Sequence, residues 1–224
     1  MKGTFSKIIA AIAVIIISAF LYVMAVRNVQ GEYMKRVAVE KSRNDLPVYR
    51  RMLNNALRFK PNQPEAHIDL ANTYIHAGEY EKAVSEVLEA SKVGQLSISA
   101  HKTLGVIYIQ KEELEKAEKT LKKALVQSPD NPEVLEYLAL INMYKKNYAA
   151  ALDQLDRATR RDYARPNSYF LYGKIYEMSD IEDGRLRSKA FDYFRRAMQC
   201  YKEEEKLLFN PDRLRTYINS NAPE

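Results

Sequence analysis

The sequence predicts an all-α chain: a solenoid of antiparallel helix pairs carried on one N-terminal transmembrane helix. Three observations predict it. Residues 8–26 form a run of 19 without a charge. From Pro64 onward, small and large apolar residues recur in columns 34 positions apart. Within each period the apolar residues twice follow the three- and four-residue spacing of a helix, with a short polar turn between.

Residues 1–7 are a short tail bearing Lys2 and Lys7. The apolar run at 8–26 follows, with Ser18 and Tyr22 as its polar groups. As a helix it is about 28 Å long, close to the hydrocarbon thickness of a bilayer. It carries no intramembrane charge, which argues against ion or proton translocation. The rival reading is a cleaved signal peptide ending near Val23-Met24-Ala25, which would leave a soluble assembly factor. The run is longer than an ordinary signal core, so a retained anchor is the preferred reading. Sidedness has two readings. Counting Lys and Arg near the span places the C-terminal domain in the cytosol. A short basic tail before an apolar run behaves as a signal anchor and stays inside, which places the domain on the extracytoplasmic, periplasmic face. The second is preferred.

The net charge of +6 is uneven. Residues 1–63 hold 11 Lys and Arg against 3 Asp and Glu, while residues 64–224 hold 24 against 26. The positive charge thus belongs to the membrane-proximal part, where a basic segment at 27–60 suits anionic lipid headgroups. A nucleic-acid binder carries its basic stripe on the folded domain, so no nucleic-acid partner is expected. Cys200 is the single cysteine, so an intrachain disulfide is impossible.

Residues 27–44 read as a basic juxtamembrane helix or stalk. Asp45-Leu46-Pro47 then opens a helix in which Tyr49, Leu53, Ala56 and Leu57 share a face, and Pro61 ends it. The solenoid spans 45–206. Leu70, Leu104 and Leu138 are 34 apart; so are Ala71, Gly105 and Ala139, then Ala83, Ala117 and Ala151, then Ala90, Ala124 and Ala158. Tyr80, Leu114 and Tyr148 mark the start of each second helix. Pro64, Pro132 and Pro166 fall at the first position of each first helix, where a missing N–H costs nothing. The small residues let the two helices of a pair approach closely, and the large ones fill the holes between pairs.

This pattern resembles the tetratricopeptide repeat (TPR) family. The copies run over 64–97, 98–131 and 132–165, with a degenerate copy at about 30–63. A further copy at 166–202 has a longer turn between its helices: Ala190 replaces the expected small residue at 185. Phe191 begins a segment, to about 208, that reads as one long helix. Residues 207–224 form a C-terminal cap and tail, with Asn210-Pro211-Asp212 as a stop and restart.

No phosphate loop, paired-histidine metal motif or nucleophile elbow occurs, so neither enzyme chemistry nor a cofactor nor a metal is expected. His67 and His101 occupy equivalent positions in neighbouring copies, too far apart to share a metal; packing or surface roles are expected. His76 is expected to be exposed. The family resemblance implies a concave face lined by the first helices, at the fifth, ninth and thirteenth positions of each copy. These are Ile68, Asn72 and His76; Lys102, Val106 and Gln110; Glu136, Leu140 and Tyr144; and Phe170 and Lys174. Tyr137 and Tyr144 depart from the repeat columns and are added as ligand-contact candidates. The mixed groove suits an extended peptide or a partner helix. The carboxylate clamp of chaperone-binding members is absent. Asn72 matches it, but Ile68, Thr103, Glu133 and Tyr137 stand where its other side chains would be. The expected function is a membrane-anchored scaffold that recruits other proteins into a membrane complex; the alternatives are a soluble assembly factor released from a cleaved signal and, less favoured, a nucleic-acid or enzyme-associated adaptor.

Overall fold

The structure is a computed structural model that describes residues 15–26, 29, 46–160, 165–179, 186–201 and 207–220. Every regular element among them is a helix. The chain divides into two compact units, residues 1–96 and 97–224.

In the first unit, residues 15–26 are helical (α1). Their large apolar side chains lie open: Ile16 is 62% exposed, Phe20 62% and Leu21 61%. Among the described residues no helix is long and apolar enough to cross a membrane, and of the expected span only 15–26 is described. The stalk at 27–44 lies outside the described residues except Val29. Helix α2 (Leu46–Phe59) packs on α3 (Pro64–His76), which pairs with α4 (Tyr80–Ser91). Leu53 meets Ala66 and Leu70 in the core, flanked by Tyr49, Leu57 and Tyr74. Arg50 on α2 fixes the register of that packing. Its guanidinium lies 4.5 Å above the Tyr74 ring, donates to the Thr73 carbonyl at 2.9 Å, and pairs with Glu79 at 2.8 Å.

The second unit contains α5 (Ile98–Gln110), α6 (Leu114–Gln127), α7 (Pro132–Tyr144), α8 (Tyr148–Thr159), α9 (Pro166–Ser179), α10 (Arg187–Cys200) and α11 (Pro211–Ser220). Consecutive helices pair as α5–α6, α7–α8 and α9–α10. Ser97 caps α5 and Asn131 caps α7, each side chain accepting the N–H three residues on. The close crossings fall where glycine or alanine sits. A Cβ on Gly105 would stand 2.6 Å from Leu121, and one on Gly173 would stand 2.5 Å from the Phe194 ring.

The turn inside a helix pair is the same object three times. Its second residue is left-handed: Gly78 (φ 73°), Glu112 (φ 60°) and Lys146 (φ 61°). The next N–H then reaches back to close the turn: Glu79 to the Tyr74 carbonyl, Glu113 to Tyr108 and Asn147 to Asn142, at 2.8–2.9 Å. Backbone bonds, not side chains, set this geometry.

The end of the chain differs from the expected single long helix. Helix α10 stops at Cys200, and Tyr201 turns extended (φ −66°, ψ 131°). The acidic run at 203–205 lies outside the described residues, as does the long turn over 180–185. The chain re-enters at Leu207, where the Leu208 N–H donates to Asn167 Oδ1 at 2.7 Å and Phe209 stacks on Phe170 with centroids 4.7 Å apart. Docking these residues on α9 requires the break that helix propensity alone does not signal. Helix α11 then covers the α9–α10 pair through Leu214 and Tyr217.

Candidate partner-binding groove

On α3, Ile68 is buried, Asn72 half-buried and His76 exposed. Both remaining histidines are structural. The His67 ring nitrogens face Glu86 at 2.7 Å and the Pro61 carbonyl at 3.0 Å. His101 is buried, its Nδ1 3.1 Å from the Ser97 carbonyl.

In the second unit the first helices α5, α7 and α9 carry the remaining groove positions. On α5, Lys102 and Val106 are half-buried and Gln110 is exposed. The Lys102 ammonium is paired with Glu133 on α7, an exposed bridge that contributes little stability. On α7 the three positions grade outward: Glu136 is 2% exposed, Leu140 is half-buried and Tyr144 is 53% exposed. Leu140 packs on the clusters of both neighbouring helix pairs. Tyr137 is half-buried against the α6–α7 core. Burial, reinforced by the charges of Glu133 and Glu136, pushes its phenol up to about 12, so it stays neutral and acts as a packing group.

Glu136 is committed internally. Arg165 grips both carboxylate oxygens, and Ser168 donates to Oε1 at 2.6 Å. Its acceptor capacity is therefore spent holding the start of α9 to α7. Sequence reasoning missed this role because nothing in the spacing links position 136 to Arg165, 29 residues on. On α9, Phe170 and Lys174 are half-buried. Phe170 lies under Phe209, and Lys174 is paired with Glu177. Of the groove positions in the second unit, Gln110 and Tyr144 are exposed, while Val106 and Leu140 are half-buried. Apolar side chains placed in this way can accept side chains of a bound segment. They form no catalytic grouping. Among the described residues no three His, Cys, Asp or Glu side chains converge as a metal site.

Two sequence profiles described as tetratricopeptide repeat match the chain, over residues 50–105 and 102–167. No curated protein matches it. Solved structures share the fold at low identity. TTC0263, a thermophilic TPR protein of Thermus thermophilus, is 18% identical with a TM-score of 0.70, covering 85% of this chain and 97% of its own. PilF of Pseudomonas aeruginosa is also 18% identical, with a TM-score of 0.64 over 79% of each chain. YrrB, described as a TPR protein with an unusual peptide-binding site, is 16% identical with a TM-score of 0.52, covering 84% of this chain and 91% of its own. The fold is a helical solenoid of the kind that presents an extended protein-binding surface. Phased helix pairs, their shared turn and both profiles lead to one conclusion: the chain belongs to the tetratricopeptide repeat family.

Proposed function

We propose that the chain is a membrane-anchored scaffold that recruits partner proteins of a membrane complex through the first-helix face of its repeats. The observation that carries the recruitment is Tyr144, 53% exposed at the groove end of α7, with half-buried Leu140 one turn before it. Tyrosine is enriched where proteins meet, because its ring buries a large area and its hydroxyl keeps a polar handle. The anchor is supported by the uncharged run at 8–26 and by the exposure of the large apolar side chains of α1 from Ile15 to Met24. Leaving these in water costs about 25 cal/mol per Å², and a bilayer removes that cost. The basic segment at 27–60 would then rest on anionic headgroups, and the repeats would lie on the extracytoplasmic face.

Photo-crosslinkers placed at positions 144 and 126 of the membrane-embedded protein test the recruitment. Val126 on α6 is 83% exposed and serves as the control. The expected result is a discrete crosslinked partner at 144, absent at 126 and lost when Leu140 is replaced by Ala. Equal products at both positions would reject the groove. For the anchor, the protein should stay with membranes through alkaline carbonate and leave them only in detergent. Release by carbonate would reject a spanning helix. Protease added to sealed cells with a permeabilised outer layer should cut the repeats; full protection would place them in the cytosol.

A further inference from the structure

A cleft of about 370 Å³ opens between α9 and the capping helix α11, and two of the groove positions, Phe170 and Lys174, line it. Its floor is aromatic and aliphatic: Phe170, Phe194, Phe209 and Leu214. The rings are held by one another, Phe170 on Phe209 at 4.7 Å and Phe194 edge-on to Tyr217 at 5.6 Å, so the floor is pre-formed. That volume is at the lower end of a ligand site, and an apolar floor with a few polar groups at its mouth is the usual construction of one.

The mouth is charged: among the described residues Lys174, Glu177 and Arg213 line it. Glu177 is the carboxylate of the lining, and both Lys174 and the Tyr217 hydroxyl are already on it. Burial alone would raise the Glu177 pKa; Lys174, Tyr217 and the charge of Arg187 outweigh burial and hold it below the ordinary carboxylate value. The nearby Asp212 is taken by Arg215. Arg213 lies at the cleft with its side chain exposed, and among the described residues no carboxylate neutralises it. Among the lining residues two cations stand against one carboxylate, and Lys174 is already paired with it, which leaves the Arg213 guanidinium to meet a negative group beside the aromatic floor.

We propose that this cleft docks an acidic segment of a partner protein, which inserts one aromatic side chain between Phe170 and Tyr217 and sets a flanking carboxylate against Arg213. The proposal rests on the reading of the chain as a protein-binding scaffold, and it names the chemistry that the C-terminal end of the groove would take. A ring entering the cleft would stack on the exposed edge of the Phe170–Phe209 pair, and the adjacent carboxylate would form a charge-assisted bond to the guanidinium.

The test uses the full chain in detergent, isotope-labelled, titrated with three blocked pentapeptides: Asp-Asp-Phe-Asp-Asp, Asp-Asp-Ala-Asp-Asp and Lys-Lys-Phe-Lys-Lys. The expected result is that the first peptide shifts the resonances of Leu214 and Tyr217, while the other two shift them at least several-fold less. Arg213→Glu should weaken the first peptide about ten-fold and improve the third. This variant keeps the cap, because an acidic residue suits the first turn of α11. The proposal is overturned if the alanine peptide binds as well as the phenylalanine one, if Arg213→Glu leaves the affinity unchanged, or if the cleft proves to be covered by a second copy, seen as concentration-dependent dimers that exclude the peptide. Leu140→Ala separates the two readings: it should abolish the crosslink at position 144 and leave the cleft titration intact.

Discussion

Arg165 holds Glu136 in a two-point grip, Nε to Oε1 at 2.9 Å and Nη2 to Oε2 at 3.0 Å. The Glu136 side chain is 3% exposed and the Arg165 side chain 17%. The pair bridges α7 and the residue before α9. A buried bidentate pair whose lone pairs are also satisfied is costly to break from one side, because the remaining charge stays desolvated. Glu136→Ala is therefore expected to lose about 3 kcal/mol, read from the urea midpoint. Replacing the pair together by Glu136→Leu and Arg165→Met should recover most of it. A single variant with an unchanged midpoint would show the pair to be idle.

The left-handed turns differ in what they ask of their residues. Gly78 meets that demand freely and has open space around its Cα, whereas Glu112 and Lys146 hold the same conformation with a Cβ. A left-handed non-glycine costs about 1 kcal/mol. Gly78→Ala should thus destabilise by about 1 kcal/mol through backbone strain alone, while Lys146→Gly should be neutral or stabilising by a few tenths. Thermal unfolding of the two variants side by side measures the contrast.

Gly173 faces the ring of Phe194, which is 2% exposed. Gly173→Ala should cost about 1–3 kcal/mol by forcing α9 away from α10. Combining it with Phe194→Leu should recover part of the loss, and a double-mutant cycle reports the coupling.

Glu177 links α9 to the cap through the Tyr217 hydroxyl, 2.7 Å from its Oε1. Its folded pKa lies below the ordinary 4.5. A depressed carboxylate contributes stability that is fully present above the unfolded value and is lost as pH falls through the folded one. The Leu214 methyl resonance should therefore stay constant down to about pH 4.5 and report loosening of α11 below it. Glu177→Gln should flatten that acid transition. An identical transition in the variant would assign it to another group.

The helix pairs were legible in the sequence because their signals are local. Pro64, Pro132 and Pro166 open helices, and the small residues at 71, 105, 139 and 173 mark crossings. At the groove positions the structure adds the exposure of each side chain: Tyr144, which stands out from its column, is exposed, and Val106 and Leu140 are half-buried. Glu136 and Phe170 were not legible as internal groups, since their partners Arg165 and Phe209 are remote in the chain. The break after Cys200 was hidden for a related reason. The acidic run that follows has good helix propensity, and only the docking of Leu208 and Phe209 on α9 demands the interruption.

The recurring turn carries an evolutionary corollary. The three pairs whose turns are described close through the equivalent carbonyl, whether glycine, glutamate or lysine occupies the left-handed residue. A 34-residue copy thus carries the means of its own bend, and in the second unit side chains such as Arg165 tie one copy to the next. Duplicating or deleting one copy would alter the reach of the molecule without redesigning any bend.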